Sequence, residues 1–258
     1  MNVSANYAND ENLRTRQNIW SYGTQEPFPR RVLDLVDVPD WATVVDVGCG
    51  NGNYLAELRR RGHRGPLVGL DLSPGMAATA RSASGVATAV ADAQTLPIGT
   101  DAVEFALAPH MLYHVPDIPL ALAELRRITR PGGRAVIVTN STEHAHEILT
   151  LLAEVTGDLL GTPVTIAWDG QRFRTRQADD LLPTVFAEVD KRDLGWVVRV
   201  PAATVVRGWV ESLPPEALAV PAERRDEVLT ELERRVGERV AAHGSFPVTS
   251  GATAYLCG

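Results

Sequence analysis

Between Thr43 and Thr139 the chain keeps one rhythm. Short apolar runs recur at Thr43-Val44-Val45-Asp46-Val47, Pro66 to Asp71, Val86 to Val90, Ala102 to Ala108 and Arg134 to Thr139. Stretches of helical character separate them: Tyr54 to Arg61 closed by Gly62, Ser73-Pro74 opening a helix to about Ser82, and Ile118 to Thr129 before a Pro131-Gly132-Gly133 turn. A strand that is apolar along its whole length is covered on both faces. Strands that alternate with helices build a parallel sheet. The fold class is therefore α/β.

Outside that stretch the pattern loosens. Helices are expected over 9–20, capped by Asn9 or Asp10, and over 29–36, where Pro29 sits in the first turn. Further on, 143–156 reads as helix and 162–176 as loop or short strand. A helix interrupted near Pro183 covers 177–186, and a long strand covers 187–200. Pro201 to His243 reads as mostly helical and 246–257 as a final strand. The expected organisation is a single domain over 1–258, with 140–176 and 201–243 as insertions on its core.

Composition excludes several classes. The chain has 258 residues, 45% hydrophobic and 22% charged, which is enough apolar material for a sizeable core. Its net charge is −7, and Lys191 is the one lysine among 25 basic residues. An acidic chain without a lysine cluster argues against phosphate-backbone binding, so no nucleic-acid partner is expected. Cys49 and Cys257 form no metal spacing and no disulfide framework, which fits a reducing compartment. Met1 to Asp10 is polar, without a signal-peptide apolar stretch, and no run of 18 apolar residues occurs. A cytoplasmic protein without a membrane partner is expected, as monomer or homodimer.

The first strand runs into Gly48-Cys49-Gly50-Asn51-Gly52-Asn53. Glycines between a strand and a helix let the backbone turn sharply and approach a ligand. A dinucleotide fingerprint would need glycine at 53, where Asn53 stands, and Asp46 would set a carboxylate beside two phosphates. A carboxylate suits a ligand with a positive amino group, such as S-adenosylmethionine. Asp71 ends the second strand about 20 residues on, the usual place for a carboxylate that binds ribose hydroxyls. Asp92 follows the third strand and is suited to the adenine amino group. All three acids fall at the carboxyl edge of the sheet, where open α/β folds bind ligands.

With these residues the sequence resembles the class I S-adenosylmethionine-dependent methyltransferases. It is nearest the small-molecule branch (methyltransferase type 11) that includes ubiquinone-biosynthesis-type enzymes. The resemblance rests on Val44–Asn53, Gly69–Met76, Ala91–Ile98, Phe105–Val115 and Leu125–Val138. It implies a Rossmann-like, mostly parallel seven-stranded sheet with an antiparallel last strand, helices on both faces and a helical lid. It also implies S-adenosylmethionine as cofactor. Asp46, Gly48 and Gly50 would line its methionine part, and Asp71 its ribose. Leu72 and Met76 would lie against adenine, Asp92 and Ala93 along its edge, and Ala108 beneath the sulfonium. Segments 1–28, 140–176 and 201–243 match poorly and would form the substrate lid.

Methyl transfer from a sulfonium is an in-line displacement, so the protein mainly positions the acceptor and excludes water. A base is needed only for a protonated acceptor. His110 and His114, just after the fourth strand, are the catalytic candidates. Tyr7, Trp20, Tyr22, Tyr113 and Trp168, with His110, are candidates to line the acceptor. Arg16 is placed to reach the methionine carboxylate. Cys49 reads as small buried filler, and Glu143, His144, His146 and Glu147 as a solvated helix start rather than metal ligands, so no metal is expected. The expected function is methylation of a small organic acceptor at O, C or N, in secondary metabolism. The alternative is a protein of the same fold that binds S-adenosylmethionine without transferring methyl. An NAD-dependent dehydrogenase is contradicted by Asp46 and Asn53.

Overall fold

A computed structural model describes residues 9–23, 25–166 and 171–258. Strands β1 (Val44–Val47), β2 (Leu67–Asp71), β3 (Ala87–Val90), β4 (Val103–Pro109), β5 (Thr129–Asn140), β6 (Val189–Asp193) and a last strand, Ala252–Cys257, form one sheet. With β7 (Trp196–Val200) and β8 (Phe246–Ser250) counted, the last strand is β9, and the order across the sheet is β3-β2-β1-β4-β5-β9-β6. Every pairing from β3 to β5 is parallel, and β9 runs antiparallel to both its neighbours. The Rossmann-like, mostly parallel arrangement is thus present.

Alternation along each strand sends side chains to two different cores. Val45, Ala106, Ala108, Ala135 and Ile137 face one side, against α5 (Ile118–Ile128) and α7 (Thr175–Leu181). Val44, Phe105, Leu107, Val136 and Val138 face the other, against α2 (Phe28–Leu33), α3 (Asn53–Arg60) and α4 (Pro74–Ser84). The helix ends follow local chemistry. Ser73 Oγ accepts the Met76 N–H at 3.2 Å, with Pro74 in the first turn of α4. Asp117 caps α5 by accepting from Leu120 N at 3.0 Å.

Two expected strands are each broken in two. The run 187–200 divides at Leu194-Gly195 into β6 and β7, and the run 246–257 divides at Gly251 into β8 and β9. Asp193 pairs with Thr253 in the large sheet, whereas Trp196 pairs with Ser250 in a separate two-stranded sheet. One antiparallel ribbon therefore leaves the sheet and bends away. Gly251 stands at the bend because a Cβ there would lie 2.1 Å from Ser141 Oγ and 2.9 Å from His144 N. The expected Pro131 turn lies inside β5, as a register shift against β4 between Val103 and Phe105.

The bent ribbon carries a third core. Val198, Val200, Phe246 and Val248 bury against α6 (His146–Leu160), α8 (Ala203–Glu211) and α9 (Arg225–His243). Ile19, just after α1 (Glu11–Asn18), joins them. Parts of 1–28, 140–176 and 201–243 thus meet in one layer, while Phe28 and Phe173 pack with the two sheet cores, and the insertions share a core with two strands that the sequence pattern had joined to the main sheet.

Candidate functional site

β1 delivers Asp46 to the carboxyl edge, and the glycines turn the chain back into α3. Gly48 adopts φ +69°, and a Cβ on it would come within 2.6 Å of Met111 Cβ. Only glycine fits there, because the loop after β4 closes directly on this turn. Helix α1 crosses above it. Gln17 Oε1 accepts from Asn51 Nδ2 at 3.0 Å and Asn53 Nδ2 at 3.3 Å, and Leu13 sits over Gly50.

Asp46 is 0% exposed, and neither of its carboxylate oxygens has a hydrogen-bond partner. Burial, then the neighbouring Asp71 charge, pushes its pKa well above the carboxylate range. Tyr54 Oη, close by, is likewise buried and unpartnered. Asp71 accepts one backbone N–H on each oxygen, from Gly50 at 2.9 Å and Ser73 at 2.8 Å. Burial raises its pKa despite those bonds. One bond per oxygen leaves acceptor capacity on both. Leu72 beside it is 57% exposed, an isolated apolar surface at the sheet edge. Buried carboxylate without a donor, free carboxylate lone pairs and an exposed leucine fit a ligand with an ammonium, a diol and a flat apolar ring.

Other expected residues stand elsewhere. Met76 is 1% exposed and Ala108 0%, so both belong to the packed interior and offer adenine or sulfonium no surface in this structure. Ala93 is buried too. Asp92 is turned onto its own loop, accepting from Gln94 N at 2.8 Å and Gln94 Nε2 at 3.0 Å. Arg16 is buried and donates to Ser212 O at 2.6 Å, which ties α1 to the end of α8 and spends one N–H on that tie rather than on a cofactor carboxylate. Tyr22 is exposed and Tyr113 buried. Tyr7 and Trp168 lie outside the described residues.

The two candidate histidines keep different company. His114 packs edge-on to Tyr113 at 4.6 Å and faces Arg16 and Arg172. Burial, then those cations, pushes its pKa down to about 3. His110 follows β4 directly in a left-handed conformation, φ +56°, held by its N–H donating to Val138 O at 2.9 Å. A non-glycine residue at positive φ is strained. Its ring lies 5.2 Å from Phe28, and burial pushes its pKa down to about 4, so the imidazole is neutral at pH 7.

Around His110 stand Trp20, an expected acceptor-lining residue, and groups that sequence reasoning missed. Phe28 stacks on Trp196 at 5.6 Å, Trp196 meets Trp20 edge-on at 6.0 Å, and Trp20 lies 4.9 Å from His144. The supposed helix start at Glu143 to Glu147 is split. His144 turns inward to Trp20, and Glu147 accepts from Thr249 N at 2.9 Å, fixing β8. His146 stays exposed. No spacing rule could find this cluster, because Phe28, His110, His144 and Trp196 come from four distant segments.

Comparison with known proteins follows the same division. Residues 45–137 match the family described as Methyltransferase domain. A 2-phytyl-1,4-naphtoquinone methyltransferase of Thermosynechococcus vestitus is 33% identical over 123 residues, 46% of this chain and 55% of that protein. A malonyl-[acyl-carrier protein] O-methyltransferase of Serratia marcescens is 32% identical over 135 residues, 52% of each chain. The chain spans about half the length of the curated relatives it matches. Among solved structures, a putative methyltransferase from an antibiotic biosynthesis pathway of Anabaena variabilis covers 89% of this chain and 96% of its own, with TM-score 0.62 and 18% identity. That likeness is one of fold. The matched stretch holds Asp46, Asp71, Asp92 and His110, whereas Trp20, Phe28, His144 and Trp196 lie outside it. No described helix is long and apolar enough to cross a membrane.

Proposed function

We propose that this protein transfers a methyl group from S-adenosylmethionine to a small organic acceptor held beside His110. The observation that carries the reading is Asp46: a fully buried carboxylate with no protein donor, under the glycine turn of a methyltransferase domain. An unpaired buried acid is costly unless a ligand answers it. Asp46 would hold the amino group, Asp71 the ribose hydroxyls and Leu72 a face of the adenine. When bound, S-adenosylmethionine supplies an electrophilic methyl on a sulfonium.

The chain's own residues do the rest. Met111 and Leu13 cover the glycine turn and keep water from it. His110 is fixed by its backbone bond to Val138 and by Phe28, and its neutral ring can accept a hydrogen bond or proton from an acceptor hydroxyl or acidic carbon. A pKa of about 4 makes it a weak base until an anion nearby raises it. The layer built on β7 and β8 serves as the lid in this reading, with Gln17 as its latch on Asn51 and Asn53.

Calorimetric titration with S-adenosylmethionine, S-adenosylhomocysteine and NAD, followed by an acceptor panel read out as S-adenosylhomocysteine formation, tests this. Binding of the first two and acceptor-dependent turnover are expected. Binding without turnover on any acceptor would favour a ligand-binding role, and NAD binding would overturn the cofactor assignment.

A further inference from the structure

Most arginines of this chain near an acid meet it. Arg30, Arg60 and Arg61 pair with Glu26, Glu57 and Asp34, and Arg207, Arg234 and Arg235 pair with acids along α9 and its neighbours. Two arginines beside the aromatic cluster are not paired in this way. Arg31 and Arg174 are half-buried, and among the described residues neither has a carboxylate within ion-pair distance. Asp193 acts on Arg31 only from farther away.

Both arginines border the aromatic cluster. The Arg31 guanidinium lies over the Trp196 ring at 4.4 Å and donates from Nη2 to Leu194 O at 2.9 Å, while its Nη1 is buried with no acceptor. Arg174 pairs by its backbone with Asn140 and faces His144, whose ring in turn faces His110. Three more polar atoms there are buried without partners: Trp196 Nε1, His144 Nδ1 and Asn140 Oδ1. Asn140 is 4% exposed and projects to the same sheet face as Val138, whose core also packs Phe28 and Trp196. Leaving so many donors and acceptors unmet costs stability unless a ligand satisfies them.

We propose that this cluster is the acceptor site and that the acceptor is a planar aromatic acid. Its ring packs among Trp20, Phe28 and Trp196. Its anionic group is received by Arg31, with Arg174 supplying the second positive charge. A guanidinium already stacked and anchored at one N–H loses little freedom when it takes a carboxylate. Asn140 Oδ1 offers an acceptor for a hydroxyl on the same ring. The inference rests on the methyltransferase reading and narrows its substrate class.

The test uses the full chain saturated with S-adenosylhomocysteine. Benzoate and 2-naphthoate are titrated calorimetrically beside benzamide and 2-naphthamide, which match them in shape but carry no charge. The acids are expected to bind at least about tenfold more tightly than the amides. Arg31→Gln and Arg174→Gln are expected to erase that preference, while Arg31→Lys keeps part of it and the exposed Arg64→Gln all of it. Cofactor-product affinity, measured in the same samples, reports whether each variant is folded. Equal binding of acid and amide by the unmodified protein, binding of neither, or a preference that survives both glutamine variants would overturn the proposal. Should S-adenosylhomocysteine itself fail to bind, the methyltransferase reading falls and takes this one with it. Tight product binding without acid preference sinks this inference alone.

Discussion

In the large sheet, β1, β2 and β3 are neighbours in both chain and space, each joined to the next by one helix. In the second layer, Ile19 packs with Ile148, Trp209, Val228 and Phe246, which are spread over most of the chain. The first region assembles from local βα units with right-handed crossovers. The second exists only once distant segments have met. The same contrast divides the chemistry. The proposed cofactor side would use Asp46, Gly48, Gly50 and Asp71, all within one βαβ unit. The acceptor side gathers Trp20, Phe28, His110, His144 and Trp196 from across both regions. Ligand sites made by local sequence suit a common cofactor, and sites made by long-range packing can vary with the acceptor.

The largest effect is expected at the local site. Asp71→Ala removes the carboxylate that anchors Gly50 and Ser73 and that we propose binds the ribose. It should weaken cofactor binding by about a hundredfold or more, as two charge-assisted hydrogen bonds to the ribose hydroxyls would be lost. Unchanged affinity by calorimetry would remove the cofactor side from this comparison.

Next comes the second core. Trp209 is 1% exposed there, and Trp209→Ala should cost about 3–5 kcal/mol in denaturant unfolding. Hydrogen exchange should show protection lost first in α1, α6, α8 and α9, with β1, β2 and β4 still protected. Uniform loss across both regions would mean that they form a single cooperative unit and would break the contrast.

His110→Ala sharpens it, because His110 directly follows a sheet strand yet faces Phe28 of the acceptor cluster. Turnover should fall more than cofactor affinity, by about 10²-fold where the acceptor must lose a proton. Full turnover would mean that positioning alone suffices.

The smallest effect is one of pH. The pKa of His144 is held down to about 3 by burial first, then by His110 and Arg174, against 6.5 in the unfolded chain. The unfolded state therefore binds the proton first, and His144 weakens the fold as pH falls from 6.5 toward 3. His144→Gln carries no such proton, so the stability gap between native and variant protein should shift toward the variant over that window. A gap that stays flat with pH would mean that His144 is not buried as described.

Much of the sheet was legible because its signals are local. Apolar runs, the Ser73-Pro74 start and Gly62 after α3 need only neighbours along the chain. Asp46 and Asp71 were legible for the same reason, each sitting at a strand end fixed by its own hydrophobic run. Which way the buried side chains of Met76 and Ala108 point was not legible, because position in a motif does not say so. Arg16 was drawn to the cofactor, and the structure gives it Ser212 O, a partner 196 residues away. The runs 187–200 and 246–257 each read as one strand because both halves alternate correctly. The bend at Leu194-Gly195 and Gly251 shows only when Ser141 and His144 press against the ribbon.

The sequence by itself determined the α/β class, the glycine turn and the acids at the sheet edge, because hydrophobic period and turn chemistry act over a few residues. Only the tertiary structure decided that 19 and 20, 144 to 160 and 196 to 248 share one layer, that His110 faces Phe28 and His144, and that Arg31 and Arg174 stand there without acids. Those facts depend on which distant surfaces bury one another, and burial between distant segments leaves no periodic trace in the chain.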